Sequence, residues 1–331
     1  MNTKAFVLLG AVAALVACSG TEFDPQNMVQ GVRILSARAD KPYAKPGESV
    51  TLDLLVADGR KDKTRPLKTM WFPFVCANPR ADAYFNCFAP QPGQLGGTSS
   101  ALSALPRGID LASLLPNGTS YTFTMPDAVR PKAGSQEPSG TVFVFNAACA
   151  GRLLVKEVDP NQGPQGVPLQ CVDEAGDPLG PDDYVIGFTR VFAYTTRQNA
   201  NPAIDYMLFD GARVDLAAGV SVAACKESKA EDCPEHKVDV VLKPGSQELN
   251  GSEKAADGTP LKEVVWATYY ASAGRFDSDA RLLFDAREGE VSGRDNKYFA
   301  KSEAAATATM WVVVKDNRGG ADWLTIPLNV R

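Results

Sequence analysis

The sequence predicts an all-β protein made of two antiparallel β-sandwiches in tandem. Three observations carry the prediction. Apolar residues recur at a period of two, as at Val50, Leu52 and Leu54, or Tyr121 and Phe123 between threonines. The runs are separated by turn residues, supplied from 28 Gly and 23 Pro in 331 residues. No heptad run or long amphipathic pattern interrupts them, so no helical layer is expected.

In chain order, the first segment is not part of the fold. Lys4 gives a positive start, and Ala5 to Ala17 is uncharged, apolar and small. A membrane span needs about 20 apolar residues, so this run suits a cleaved secretory signal better. Leu15-Val16-Ala17 directly before Cys18 resembles the lipobox of bacterial lipoproteins. That resemblance implies cleavage before Cys18, a diacylglycerol thioether on its sulfur and an acyl chain on its amine. Ser19 in the next position implies sorting to the outer membrane. Residues 1–17 are therefore read as signal peptide and 18–30 as lipidated cysteine and tether. A flexible segment of that length spans roughly 20 Å, which would set the first sandwich near the bilayer and the second at the far end.

The first sandwich is assigned to residues 31–200. Val32 and Ile34 flank Arg33 in a short strand, and Lys45-Pro46-Gly47-Glu48 is a turn. Val50 to Val56 is the clearest half-buried strand. Leu67 to Cys76 forms another, with Pro73 demanding an edge or a bulge. Residues 77–118 have little periodicity beyond a short helical turn at Asp110 to Leu114. Tyr121–Thr124, the apolar run Thr141–Ala148 and Tyr184–Thr195 complete the strands, with Cys149 to Cys171 as an excursion closed at its base. The strand count, alternation and turn spacing suit an immunoglobulin-like sandwich, with Trp71 as its central tryptophan. Leu52 or Leu54 stands where antibody domains carry a strand cysteine.

The second sandwich is assigned to residues 201–331, after the polar boundary Arg197 to Pro202. Ile204–Phe209, Val220–Ala224, Val238–Leu242 and Val264–Ala271 read as strands. Pro260-Leu261-Lys262 before Trp266 repeats Pro66-Leu67-Lys68 before Trp71, with one extra residue. The repeat predicts that Trp266 is a core residue equivalent to Trp71. Ala306–Val314 and Trp323–Val330 form a hairpin around Asp316-Asn317-Arg318-Gly319-Gly320, where two glycines supply positive φ. A single Arg-Gly-Gly in such a turn is turn chemistry, not an RNA-binding repeat.

Six cysteines remain besides Cys18, an even number that suits an exported protein. Sequence neighbours suggest Cys76–Cys87, Cys149–Cys171 and Cys225–Cys233 among fifteen possible pairings. His236, three residues after Cys233, raises zinc as the competing reading of the third pair, but no fourth ligand at zinc spacing is evident.

Chemistry-bearing patterns are sparse. The formal charge is −5 and no basic cluster offsets it, so nucleic acid is not an expected partner. There is a single histidine, His236, with no nucleophile evident for a triad. No phosphate-binding or dinucleotide glycine loop is present. The acid pairs Asp277/Asp279 and Asp182/Asp183 suggest solvated turns; a calcium-hand Gly and Glu are missing after Asp277. No metal and no cofactor is expected. Aromatics stand out: Trp71, Phe72, Phe74, Tyr84, Phe85 and Phe88 surround the Cys76–Cys87 loop. Strand alternation sends about half of such residues inward.

Beyond the lipobox, Val32-Arg33-Ile34-Leu35, Ala39-Asp40-Lys41-Pro42-Tyr43-Ala44-Lys45-Pro46-Gly47-Glu48-Ser49-Val50-Thr51-Leu52, Cys76-Ala77-Asn78-Pro79, Asn201-Pro202 and Asp316 to Trp323 resemble cell-surface lipoproteins of the myxobacterial type. The resemblance covers most of the mature chain, rests on structural motifs and implies no catalytic residues. The expected protein is not an enzyme. It is a lipid-anchored, outer-membrane interaction or structural module, held by the Cys18 lipid and meeting an envelope protein or a glycan. The alternative is a carbohydrate-binding module using Tyr84, Phe85 and Phe88. A third reading is a hydrolase with paired Asp, which needs two carboxyl groups roughly 5–9.5 Å apart across one cleft.

Overall fold

The computed structural model describes residues 25–87, 105–129, 139–156, 169–302 and 306–331. The expected signal segment, Cys18 and Phe88 lie outside these residues. Among the described residues there is no α-helix, only single 3-10 turns between strands.

The first unit contains β1 (Val32–Ala39), β2 (Tyr43–Ala44), β3 (Ser49–Asp58), β4 (Lys68–Ala77), β5 (Ser120–Thr124), β6 (Ser139–Cys149), β7 (Arg152–Val155), β8 (Leu169–Val172) and β9 (Tyr184–Tyr194). One sheet has the order β1-β3-β5 and the facing sheet β2-β9-β6-β4. β2 joins β9 in parallel, so the first edge of the chain is split between the two sheets. The second unit contains β10 (Ile204–Phe209), β11 (Ala212–Arg213), β12 (Val220–Val222), β13 (Glu235–Leu242), β14 (Leu249–Lys254), β15 (Pro260–Lys262), β16 (Val265–Ala271), β17 (Arg275–Phe276), β18 (Ala280–Asp285), β19 (Gly289–Glu290), β20 (Asn296–Phe299), β21 (Ala306–Asp316) and β22 (Ala321–Val330). Its sheets are β11-β10-β13-β20-β17 and β12-β22-β21-β16-β18-β19. Here too the first edge is split, β12 running parallel to the last strand, β22. The two units repeat one immunoglobulin-like strand order, as the sequence pattern predicts.

The first core follows from alternation. Val50, Leu52 and Leu54 point from β3 onto Trp71, Val142, Val144 and Val191 of the facing sheet. The Trp71 indole N–H donates to the Gly118 carbonyl at 3.1 Å, satisfying the one polar atom that this ring buries. Pro73 sits within the β4–β6 register shift between Trp71 and Val75, the predicted bulge. β6 does not alternate, because its other face is covered as well. Phe143, Phe145, Ala147 and Cys149 lie under Leu111, Leu115, Leu153 and Leu169. The cover is the β7–β8 hairpin and the 3-10 turn at Leu111–Ser113, and the Cys149–Cys171 disulfide fastens the hairpin to the end of β6. A strand buried on both faces reads as a continuous apolar run.

Trp266 corrects the expectation drawn from the Pro-Leu-Lys repeat. It lies on β16, the counterpart of β4, but it is half-buried and faces away from its core. Val265, Ala267 and Tyr269 point inward instead. The extra residue between Pro-Leu-Lys and the tryptophan is the reason, since a one-residue offset in a strand exchanges its faces.

The sandwiches pack face to face. Leu35, Leu55 and Ala57 on the outer face of β1 and β3 meet Trp311 and Val313 on the outer face of β21, with Tyr270 and Trp323 at the margin. Arg38 lies over the Trp323 ring at 4.5 Å and donates to Asp322 at 2.9 Å. Asn201, at the predicted boundary, donates to the Ala39 carbonyl and accepts from the Ala321 N–H. The segment before β1 joins this interface. Asn27 is 3% exposed, its amide donating to the Phe276 carbonyl and to Asp279. Val29 N–H donates to the Ala271 carbonyl, and the Ala271 N–H donates to that of Asn27. The tail of the expected tether is thus docked on the second sandwich. The two sandwiches stand side by side, and the segment before β1 lies against the second.

At the linker, Arg318 is buried by the turn before β22. It donates to the carbonyls of Gln198 and Leu249, lies 5.1 Å from the centre of the Tyr43 ring and faces Glu263. Burial drives the Glu263 carboxyl up to about 7, and it raises Asp316, whose oxygens accept from Asn199 and from the Arg318 and Gly320 N–H groups. The same burial pushes the Tyr43 hydroxyl up to about 12.

Candidate functional site

Three disulfides join Cys76–Cys87, Cys149–Cys171 and Cys225–Cys233, the pairs suggested by sequence neighbours. The first builds the most exposed aromatic feature. Cys76 is on β4, and Cys87 ends a 3-10 turn, Tyr84–Cys87. The intervening loop is held by β6: Thr141 N–H donates to the Asn78 side chain, and the Thr141 hydroxyl donates to Asp82 at 2.8 Å. Asn78, Ala81 and Asp82 all adopt positive φ, between 45° and 57°. Left-handed backbone at non-glycine residues costs of order 1–3 kcal/mol each, and such positions cluster at sites where geometry matters.

This scaffold presents Tyr84 and Phe85, 42% and 61% exposed. Their rings meet edge to face at 5.8 Å. Tyr84 stacks at 4.4 Å and 22° on Phe188, itself 42% exposed. Phe188 rests on Phe143 and Phe145 beneath. The three exposed rings therefore form a platform anchored in a buried aromatic layer. Trp71 and Phe72, from the same sequence cluster, are core. Phe88 falls outside the described residues. Phe188 is the member that the sequence reading missed. Its signal was the alternation Phe188, Arg190, Phe192, which puts all three on one face of β9.

The other candidate groups have structural partners. His236 Nδ1 lies 2.8 Å from Asp210, its ring stacked on Phe209, and Cys233 is in a disulfide rather than beside it as a metal ligand. Asp277 pairs with Arg281 at 3.0 Å, Asp279 takes the Asn27 amide, and Asp183 pairs with Arg65 at 2.8 Å. Among the described residues no three or more His, Cys, Asp or Glu side chains converge as a metal site. No helix among them is long and apolar enough to cross a membrane.

No protein-family model and no curated protein sequence matches the chain. Among solved structures, the D00-D0 domain of intimin aligns over 90% of this chain and 98% of its own, at 8% identity and a TM-score of 0.21. The three N-terminal domains of the bacteriophage RB49 highly immunogenic outer capsid protein align over 89% and 98%, at 11% identity and 0.22. Activated Escherichia coli alpha-2-macroglobulin aligns over 93% of this chain and 22% of its own, at 10% and 0.20.

Proposed function

We propose that the protein is a lipid-anchored component of the bacterial envelope, held in the outer membrane through Cys18, and that it acts as a non-catalytic interaction or structural module. The observation that carries this reading is the pairing of a fixed body with a displayed surface. Two sandwiches share one apolar interface, and one disulfide-held loop raises Tyr84 and Phe85 into solvent. Exposed aromatics over a packed base are what binding surfaces use, since each ring offers large contact area at little entropic cost. His236, Asp183, Asp277 and Asp279 support it from the other side, because each is engaged with a partner inside the fold.

Envelope fractionation tests the anchor: the native chain sediments with outer membranes, and Cys18→Ala is released in folded form. A Cys18→Ala protein that stays with membranes overturns the anchor. Pull-down from detergent-solubilised envelopes tests the module and should return a partner that resists salt washing; turnover of a substrate without such a partner overturns it.

A second reading, a carbohydrate-binding module, is favoured by one observation: Tyr84 and Phe85 are exposed and Tyr84 is braced by Phe188. Glycan-array binding that disappears in Tyr84→Ala and Phe85→Ala supports it. Unchanged binding in both variants excludes the platform.

A further inference from the structure

A cleft of about 360 Å³ opens beside this platform, between the first sandwich and the second. One wall is the outer face of β9, with Phe188, Arg190 and Phe192; the other is Trp266, Lys315 and the Gly319-Gly320 backbone. Phe188 belongs to the platform and to the cleft at once, so the two surfaces are continuous. The tryptophan turned out of the second core thus lines this cleft.

The charges in the cleft are unbalanced. The Arg190 guanidinium lies 4.5 Å over the Phe192 ring, a contact that orients it without neutralising it. Lys315, opposite Trp266 in the β16–β21 register, is partly buried. Neither cation forms an ion pair among the described residues. Burial lowers the Lys315 ammonium below its usual range, the signature of a cation lacking an anion. The one carboxylate in the lining, Asp316, is turned into its own hairpin, where it accepts from Asn199, Arg318 N–H and Gly320 N–H. Gly320 has no room for a side chain, because a Cβ there would fall 2.1 Å from Asp316, so this part of the wall is bare backbone.

We propose that the cleft binds an acidic glycan, with a sugar ring laid on Trp266, its carboxylate drawn to Arg190 and Lys315, and the chain continuing over Phe188 to Tyr84 and Phe85. Two uncompensated cations select an anion. Flat rings in series select a polymer that repeats an apolar ring face, which an acidic peptide lacks. The outer end of this track rests on the carbohydrate reading of the platform; the cleft stands on its own charges.

Calorimetric titration of the folded chain with a short oligogalacturonate tests the site, beside a neutral cello-oligosaccharide and an oligoglutamate. The acidic sugar should bind, more weakly as salt rises, and at least tenfold more tightly than either control. Arg190→Ala and Lys315→Gln should each weaken it tenfold or more at unchanged melting temperature, and Trp266→Phe should weaken it less than either. Equal binding of the neutral sugar, preference for oligoglutamate, absence of oligogalacturonate binding, or indifference to both charge variants overturns the proposal. Loss in Tyr84→Ala and Phe85→Ala with the charge variants silent would sink the cleft and leave the platform standing. Absence of binding by both sugars would sink both.

Discussion

The Glu263 carboxylate lies 3.1 Å from the Arg318 guanidinium, and the two side chains are 1% and 7% exposed. The pair sits where the linker, the terminal hairpin and the Tyr43 ring meet. Desolvation outweighs the attraction of Arg318, and nearby Asp316 and Glu248 add to it, so Glu263 holds its proton up to about pH 7.

This sets a pH dependence with a definite sign. The folded carboxyl titrates near 7 and the unfolded one near 4.5, so between these values the folded state binds the extra proton. The contribution is fully present below the unfolded value and is lost as pH rises through the folded one. Stability should therefore fall with rising pH across this window, by at most about 1.4 kcal/mol per unit. Thermal melts of Glu263→Gln should show a flatter profile from about pH 4 to about pH 8, limits that bracket both titrations. Arg318→Met, which strands the acids, should cost about 3–5 kcal/mol at pH 8.

The two tryptophans should part company. Trp71→Ala removes a fully buried ring and its bond to Gly118 and should cost about 3–5 kcal/mol. Trp266→Ala removes a half-buried ring outside the core and should cost less than about 1.5 kcal/mol. Urea unfolding of both variants checks the contrast, and equal losses would contradict the face assignment.

Asn27 is a clamp on the second sandwich. Asn27→Ala deletes two donated hydrogen bonds and the one accepted from the Phe276 N–H. It should cost about 1–3 kcal/mol and speed hydrogen exchange at Val29 and Ala271 before it affects β6.

The Cys149–Cys171 disulfide fixes a cover over β6. Replacing both cysteines with alanine should lower stability by roughly 3 kcal/mol on loop entropy. The loss should appear first as faster exchange in the β7–β8 hairpin. A hairpin as protected as in the native protein would mean that the apolar cover holds without the bridge.

Much of the fold was legible because the strands that face water on one side keep a period of two, as Val50 to Leu54 do. The bulge at Pro73 was legible from one residue with few conformational options, and the terminal hairpin from its two glycines, although of the pair Gly319 alone takes the positive φ expected of both. The face of Trp266 was legible only in the one-residue offset after Pro-Leu-Lys, which the likeness of the two segments masks. Nor was the docking of Asn27, a polar residue in a polar segment whose burial depends on partners at Phe276 and Asp279, far along the chain. At the candidate surface, Tyr84 and Phe85 were visible as a cluster near a cysteine, whereas Phe188 reaches them only through sheet pairing.

The Asn27 clamp also decides how the molecule meets mechanical load. On the proposed anchor, six residues separate Cys18 from Pro25, a leash of about 20 Å when stretched. A tug from the membrane then arrives at Asn27 and Val29 before it reaches β1. Force would pass into the end of β16, at Ala271, and across the shared apolar interface, so the bonds to Phe276 and Ala271 act as a strain relief that spares the first sandwich from being unzipped at its leading strand.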